Sequence, residues 1–144
     1  METKINFTAT KTVAIKAPIS KVWEALTKPK LIKKYFFGTD ASTDWKKGSP
    51  IFFRGEWEGK PYEDKGFILD VVPGKMVKYS YWSSFSGTQD IPENYANVTY
   101  ELSPNDDGGT ILTITQDGLD SEERKRHSES NWGMIMENLK KLIE

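Results

Sequence analysis

The C-terminus carries a long helical pattern, and it follows a chain whose middle alternates with the period of a β-strand. Trp132, Met136 and Leu139 recur at steps of four and three, which places them on one face of a helix. The run Asp120-Ser121-Glu122-Glu123 starts with an aspartate that is followed three residues later by a glutamate, the arrangement of a capping box. We therefore expect a helix from about 121 to 143, polar in its first half and amphipathic in its second.

Apolar and polar residues alternate along most of the remaining chain. Val77, Tyr79 and Tyr81, for example, are separated by Lys78 and Ser80. Glycine and proline residues between such segments indicate turns. This alternation is typical of an antiparallel sheet with one buried and one exposed face. The segments expected to form strands are 11–16, 39–45, 50–57, 77–81, 97–102 and 112–115.

Two short helical patterns follow the first strand segment. Pro18 suits the first position of a helix over 18–27, where its missing N–H leaves no hydrogen bond unmade. A second pattern of helical spacing covers 31–37 and ends before Gly38. The order of elements predicts an α+β fold, with a curved antiparallel sheet of six to seven strands around a long C-terminal helix. We expect the two short helices after the first strand, and one domain over 1–144.

The residue counts exclude several classes of site. The chain has 144 residues, no cysteine and one histidine, which excludes disulfides, thiolate metal sites and multi-histidine metal sites within one chain. We expect no metal and no cofactor. The chain lacks a secretory signal pattern, and no apolar run approaches the roughly 20 residues of a membrane span, so we expect a cytoplasmic protein. A pI near 5.9 argues against nucleic-acid binding.

Four sequence phrases, in this order, resemble those of a known superfamily. They are the run Ala17–Thr27 with its proline and Val-Trp pair, the hairpins from Gly55 to Trp82, the strand pair Val98–Leu102 and Gly109–Ile114, and Trp132 with Leu139. Together they resemble the START-like, Bet v 1-like (SRPBCC) helix-grip superfamily, in the branch similar to the C-terminal domain of the activator of Hsp90 ATPase. The resemblance implies the helix-grip fold. Relatives carry lipids, hormones or secondary metabolites between sheet and helix, some are cyclases, and one branch assists a chaperone.

Aromatic residues are the most informative part of the composition, with five tryptophans, six tyrosines and seven phenylalanines. Rings on the inner faces of the strands would look toward the C-terminal helix. They would either line a cavity for a mostly apolar ligand or fill the core. The residues expected to line such a cavity are Phe53, Phe67, Tyr79, Tyr81, Tyr100, Trp132 and Met136.

Several charged residues are candidates for other roles. His127 lies either at the mouth of the cavity, as a ligand-binding or acid–base group, or on the solvated first half of the helix. Carboxylate pairs occur at Glu56 and Glu58, at Glu63-Asp64 and at Asp106-Asp107, and each is a weak candidate for a catalytic acid and base. Gly59 directly after the first pair signals a turn, which favours exposure of that pair. Lys30, Lys33 and Lys34 belong to a basic amphipathic segment. This segment either offers a surface to an acidic protein or an anionic membrane, or uses its apolar residues to close the end of the sheet.

These observations lead to three hypotheses about function. The first is non-enzymatic binding of a small, largely apolar ligand in an aromatic-lined cavity between the sheet and the C-terminal helix. The second is a chaperone-associated or stress-response interaction module, with a chaperone as its partner. The third is a cyclase- or hydrolase-type enzyme that would use His127 or a carboxylate together with the cavity tyrosines, although nothing in the sequence requires such an activity. A monomer and a homodimer both agree with the sequence, since an exposed edge strand can pair with a second copy.

Overall fold

In the part of the chain that the structure describes, seven antiparallel strands form one curved sheet, and a long C-terminal helix packs against it. The computed structural model describes residues 7–36, 38–83, 89–119 and 121–144. The strands are β1 (Phe7–Ile15), β2 (Asp40–Ser42), β3 (Pro50–Trp57), β4 (Lys60–Val72), β5 (Met76–Tyr81), β6 (Ala96–Pro104) and β7 (Thr110–Leu119). The helices are α1 (Ile19–Thr27), α2 (Pro29–Tyr35) and α3 (Glu122–Ile143), with a 3₁₀ turn at Pro92–Asn94. The predicted α+β helix-grip fold is confirmed.

The strand order across the sheet is β1-β7-β6-β5-β4-β3-β2. Consecutive strands from β2 to β7 are neighbours, and β1 returns to pair with β7, which leaves β1 and β2 at the two edges. β4 has an irregularity between Ile68, which lies opposite Tyr79, and Asp70, which lies opposite Lys78. One extra residue in a strand changes the face onto which the following side chains point. Val71 therefore packs against the core although it lies three residues after Ile68.

The helices begin one or two residues away from their predicted positions. The backbone N–H of Arg124 donates a hydrogen bond to Ser121 Oγ at 3.1 Å, so Ser121 is the residue that caps α3. Asp120, which the capping-box pattern suggested, lies outside the described residues. Pro18 precedes α1 as its cap, and Pro29 begins α2, two residues before the predicted start. Proline is favoured at the first helical position because the N–H it lacks would have no helical partner there.

The core lies between the inner face of the sheet and one face each of α1, α2 and α3. Val22, Val77 and Leu112 are completely buried, and Leu139 of α3 is 1% exposed. Trp23 is half-buried and packs against this core. Among the described residues, no helix is long and apolar enough to cross a membrane.

Candidate aromatic binding site

Five aromatic rings from the sheet and the helices form a closed circuit inside the fold. We call this group, Phe36, Phe53, Tyr79, Tyr100 and Trp132, the aromatic cluster. Its members come from the residue after α2, from β3, β5 and β6, and from α3. Each ring contacts the next, and the last contacts the first. The cluster therefore joins the sheet to the C-terminal helix through side chains alone.

The geometry of the ring contacts is specific. Phe36 stacks on Phe53 with centroids 5.7 Å apart and planes inclined by 16°. Trp132 meets Phe36 and Tyr100 edge-on, with centroids 5.9 Å apart in both pairs. Tyr79 lies 5.7 Å from Phe53 and 5.5 Å from Tyr100. These separations fall within the range that aromatic pairs favour, so the rings pack closely against one another.

Polar groups lie at several points on the inner face beside the cluster. The hydroxyl oxygens of Tyr79 and Tyr100 are 2.6 Å apart, and one donates to the other. Trp132 Nε1 donates to Gln116 Oε1 at 2.9 Å, and Ser128 Oγ donates to the same oxygen at 2.9 Å. The interior thus combines ring surfaces with hydroxyl and amide groups, which is the composition of sites that hold mostly apolar ligands.

A tyrosine and an aspartate pair at the edge of the cluster. Tyr81 lies with its ring 6.1 Å from that of Phe53, and its hydroxyl donates to Asp64 Oδ2 at 2.5 Å. Asp64 stands opposite Phe53 in the β3–β4 register, which places both side chains on the same face of the sheet. Burial, followed by the charge of Asp64, raises the pKa of Tyr81 well above its usual value. Tyr81 is therefore a neutral phenol that donates to a carboxylate.

Burial has the same effect on the tyrosines within the cluster. Desolvation raises the pKa of Tyr79 and of Tyr100, because a phenolate would lose its hydration in this apolar interior. The pKa of Tyr35, whose hydroxyl donates to the Ala25 carbonyl at 2.9 Å, is raised for the same first reason. All of these tyrosines remain hydrogen-bonding phenols at neutral pH.

Six of the seven residues predicted to line a cavity lie on the inner side of the fold, and Phe67 does not. Phe53, Tyr79, Tyr100, Trp132 and Met136 are buried, and Tyr81 is half-buried. The prediction for Phe67 is wrong, because its side chain is 52% exposed on the outer face of β4. Its neighbour Ile68 is 1% exposed, and adjacent residues of a strand point to opposite faces.

The remaining candidates lie on the surface. Lys30, Lys33 and Lys34 are exposed on α2, and Lys33 Nζ lies 3.1 Å from Asp40 Oδ1. His127 is exposed on the first half of α3. Of the two positions that the sequence allowed, it therefore takes the solvated one. Within the described parts of the chain, no group of three or more histidine, aspartate or glutamate residues is placed to hold a metal ion.

The sequence patterns assigned no role in this region to Phe36 or Gln116, and they pointed to Asp64 only as half of a carboxylate pair. Phe36 closes the aromatic circuit, Gln116 accepts two hydrogen bonds, and Asp64 reaches the inner face. A signal for Asp64 was present, since it lies four residues before buried Ile68, and an even spacing places both on one face of a strand. The parts played by Phe36 and Gln116 depend on contacts with α3, which local periodicity does not report.

An open groove of about 490 Å³ lies away from the aromatic cluster, beside the turn between β4 and β5. Ile19, Val72, Met76 and Leu102 form much of its apolar wall. None of the five cluster residues lines it. The groove and the cluster are therefore separate features.

Comparison with known proteins assigns the chain to a family. The family described as activator of Hsp90 ATPase homolog 1-like protein matches residues 16–144. A Cytophaga hutchinsonii protein of known solution structure is 46% identical, with a TM-score of 0.83 over 99% of this chain and 95% of its own. The search of curated proteins found no match.

Two more distant structures share the fold. The Aha1 dimer from Colwellia psychrerythraea is 20% identical, with a TM-score of 0.75, and the match covers 96% of each chain. DynU16, a protein in the dynemicin biosynthetic locus, is 17% identical with a TM-score of 0.77, over 93% of this chain and 46% of its own. At these identities the likeness concerns the fold alone.

Proposed function

The chain belongs to the family of activator of Hsp90 ATPase homolog 1-like proteins, and we propose that it binds a small, largely apolar ligand between its sheet and its C-terminal helix. The proposed activity is binding without catalysis. The observation that carries the proposal is the closed circuit of five rings, which spans both layers of the fold. Ring surfaces bury a planar apolar molecule, and the hydroxyl and amide groups beside them orient it.

Phe36 is the ring that a ligand would replace. It is half-buried, follows the last residue of α2, and packs against the core from its rim. Its ring covers Phe53 by stacking and contacts Trp132 edge-on. Movement of Phe36 toward solvent would uncover both of these buried rings. A ligand ring in its place would make the same stacked and edge-on contacts.

Native mass spectrometry of the freshly purified protein tests this proposal directly. A discrete excess mass that disappears on denaturation supports a bound small molecule and gives its weight. The same spectrum separates a monomer from a homodimer. Titration with 1-naphthylmethanol, a compact aromatic alcohol, extends the test to protein that has lost its ligand during purification.

Three variants locate the binding. Phe36→Ala should bind 1-naphthylmethanol more tightly, because it frees the space above Phe53. Met136→Trp should weaken binding at least tenfold, since Met136 lies one helical turn from Trp132 and is 2% exposed. Phe67→Ala is the matched control, because Phe67 lies on the outer face of the sheet. Failure of the wild type and of Phe36→Ala to bind the probe, with a clean apo mass, would contradict the proposal.

A second candidate function rests on the family itself, whose description concerns an activator of Hsp90 ATPase. In this case α2 would meet an acidic surface of a chaperone through its three exposed lysines, Lys30, Lys33 and Lys34. We expect the combined variant Lys30→Glu, Lys33→Gln and Lys34→Glu to lose binding to a purified Hsp90-type chaperone. Glutamine is used at Lys33 because a glutamate there would face Asp40.

The matched control for the α2 surface is Lys46→Glu, Lys47→Gln and Lys60→Glu, which makes the same change in charge at exposed positions outside α2. Binding measured by surface plasmon resonance should survive in the control and disappear in the α2 variant. Equal losses in both variants would indicate a general effect of charge. Unchanged binding in the α2 variant would contradict this surface.

A further inference from the structure

Two phenols meet inside the aromatic cluster, and their hydrogen bond uses only one of their two O–H protons. The hydroxyl oxygens of Tyr79 and Tyr100, which we call the tyrosine pair, are 2.6 Å apart, and either can be the donor. This bond gives each oxygen a partner. In the parts of the chain that the structure describes, neither oxygen has a second one. Whichever tyrosine donates, the proton of the other therefore has no acceptor here.

The two other buried tyrosines near the cluster have no such spare proton. Tyr35 donates to the Ala25 carbonyl at 2.9 Å, and Tyr81 donates to Asp64 Oδ2 at 2.5 Å. A phenol carries one O–H proton, and in both of these residues that proton has an acceptor. Among these four tyrosines, the spare proton thus belongs to the tyrosine pair.

The position of the tyrosine pair makes an unused proton costly. Tyr79 is 1% exposed and Tyr100 is 6% exposed. A buried donor without an acceptor has lost its bond to water and gained none in return, whereas an oxygen with an unused lone pair is common. A ligand atom that accepts this proton would restore the bond that folding removed. The tyrosine pair therefore favours a ligand with a hydrogen-bond acceptor.

A second polar group beside the cluster also has protons to donate. Trp132 Nε1, which can only donate, lies 2.9 Å from the side-chain amide of Gln116, so the facing amide atom is the oxygen. Ser128 Oγ donates to the same oxygen, which fills its two acceptor positions. Within the described residues, the two protons on Gln116 Nε2 have no acceptor. Unused donors therefore remain on both polar groups that contact Trp132, the amide of Gln116 and the tyrosine pair.

The tyrosine pair lies across the aromatic circuit from Phe36, the ring that a ligand would replace. Phe53 connects Phe36 to Tyr79, and Trp132 connects it to Tyr100. A ligand ring that stacks on Phe53 and meets Trp132 edge-on would thus have its inner end toward the two hydroxyls. A polar atom at that inner end would meet the spare proton.

From these contacts we infer that the ligand of the aromatic cluster is an apolar carbonyl compound, whose carbonyl oxygen accepts the spare O–H proton of the tyrosine pair. This inference rests on the proposed ligand-binding function and names the class of ligand. A carbonyl oxygen accepts without donating, so it uses the spare proton and adds none. An alcohol accepts the same bond but brings a further proton, and a hydrocarbon leaves the phenol without an acceptor.

Three probes with one carbon skeleton test the ligand class in the intact protein. They are 1-acetonaphthone, 1-(1-naphthyl)ethanol and 1-ethylnaphthalene, which carry a ketone, an alcohol and no polar group. Equilibrium dialysis at neutral pH measures their dissociation constants. We expect the wild type to bind the ketone about fivefold or more tightly than the alcohol, because only the alcohol adds a proton to the site. An alcohol that binds as tightly as the ketone overturns the inference.

The double variant Tyr79→Phe, Tyr100→Phe removes both hydroxyls and keeps both rings. It should weaken binding of the ketone about tenfold and leave binding of 1-ethylnaphthalene within about twofold, since only the ketone loses a hydrogen bond. Tyr35→Phe is the matched control, because it removes a buried hydroxyl whose proton is already used on Ala25. Ketone binding that survives the double variant, or that Tyr35→Phe weakens as strongly, overturns the inference.

The count of protons also predicts the behaviour of the single variants. Tyr79→Phe and Tyr100→Phe each leave one hydroxyl, whose proton no longer has the other phenol as its acceptor. At least one of these variants should therefore bind the ketone within about threefold of the wild type. Losses in both single variants as large as that in the double variant would overturn the inference, because the ligand would then need the bond between the phenols.

The outcomes separate this inference from the function on which it rests. Binding of 1-ethylnaphthalene and the alcohol without preference for the ketone refutes the carbonyl class and leaves the aromatic site in place. Failure of all three probes to bind the wild type and Phe36→Ala refutes both. Circular dichroism checks that the double variant is folded, and the ranking of ketone and alcohol on the wild type decides the inference even where that variant does not fold.

Discussion

The hydroxyl oxygens of Tyr79 and Tyr100 lie 2.6 Å apart, and their rings meet edge-on at 89°. Tyr79 is 1% exposed and Tyr100 is 6% exposed, so water reaches neither hydroxyl easily. The two strands that carry them, β5 and β6, are neighbours in the sheet. A buried polar group is costly unless it is hydrogen-bonded, and here each tyrosine satisfies the other.

Tyr100→Phe should lower the free energy of unfolding by about 1–3 kcal/mol, because the Tyr79 hydroxyl then lacks this partner. The double variant Tyr79→Phe, Tyr100→Phe should be closer to the wild type than the sum of the two single variants, since it removes both polar groups together. Urea unfolding of the four proteins measures these differences. Losses that simply add would show that the two hydroxyls do not depend on each other.

The glycines of β4 and α3 should respond to alanine in opposite directions. A Cβ at Gly66 would lie 1.7 Å from the backbone oxygen of Ser80, so Gly66→Ala forces β4 away from β5. We expect the free energy of unfolding of this variant to fall by more than about 3 kcal/mol, which is the size of effect that other strong backbone and packing conflicts produce. Thermal and urea unfolding compare this variant with the helix variant below.

At Gly133 a Cβ would meet the Lys11 side chain at 3.6 Å, an ordinary contact. Alanine there removes the helix penalty of glycine and should raise the free energy of unfolding by about 0.5–1 kcal/mol. Close packing of α3 on the sheet therefore does not require this glycine. A loss of stability in Gly133→Ala would contradict this conclusion.

The order of the elements was predictable because it is recorded in local periodicity. The pattern of Trp132, Met136 and Leu139 predicted α3, and the alternation around Tyr79 predicted β5. Each pattern involves only the residues of its own element, so it can be recognised in the sequence without knowledge of the tertiary structure. The element boundaries shifted by one or two residues where caps decided them, as at Ser121 and Pro29.

The composition of the candidate site was less predictable, because it depends on which face each residue takes. Phe67 was assigned to the interior for its aromatic character, although buried Ile68 next to it forces Phe67 outward. After the irregularity that follows Ile68, the side chains of β4 point to the opposite faces from those that strict alternation would give. One alternating pattern of buried and exposed residues therefore does not describe the whole strand. Phe36 joins the cluster only through the placement of α2 against β3 and α3.

The opposite positions of Phe53 and Phe67 predict different costs of substitution. Phe53→Ala removes a ring that contacts three other aromatic residues, and it should lower the free energy of unfolding by about 3–5 kcal/mol. Phe67→Thr changes an exposed position in a strand, and it should lower the free energy of unfolding by about 1 kcal/mol or less. Urea midpoints of both variants test the assignment of faces. A larger loss of stability for Phe67→Thr than for Phe53→Ala would contradict the assignment of Phe53 to the inner face and Phe67 to the outer face.

The buried tyrosines predict how stability depends on alkaline pH. Burial raises the pKa of Tyr35, Tyr79, Tyr81 and Tyr100 above the ordinary value of 10, whereas the unfolded chain ionises near that value. Above pH 10 the unfolded state therefore loses protons that the folded state keeps, and the free energy of unfolding falls. The stabilisation from these groups is fully present below pH 10 and is lost as the pH rises further.

An alkaline titration that records phenolate absorbance together with circular dichroism checks this dependence. Tyr35, Tyr79, Tyr81 and Tyr100 should ionise in one cooperative step that coincides with loss of the dichroism signal. Tyr95 provides an internal comparison, because burial and its hydrogen bond to Asp90 raise its pKa to about 12. Ionisation of Tyr35, Tyr79, Tyr81 and Tyr100 near pH 10 with the dichroism unchanged would mean that solvent reaches the aromatic cluster in the folded protein.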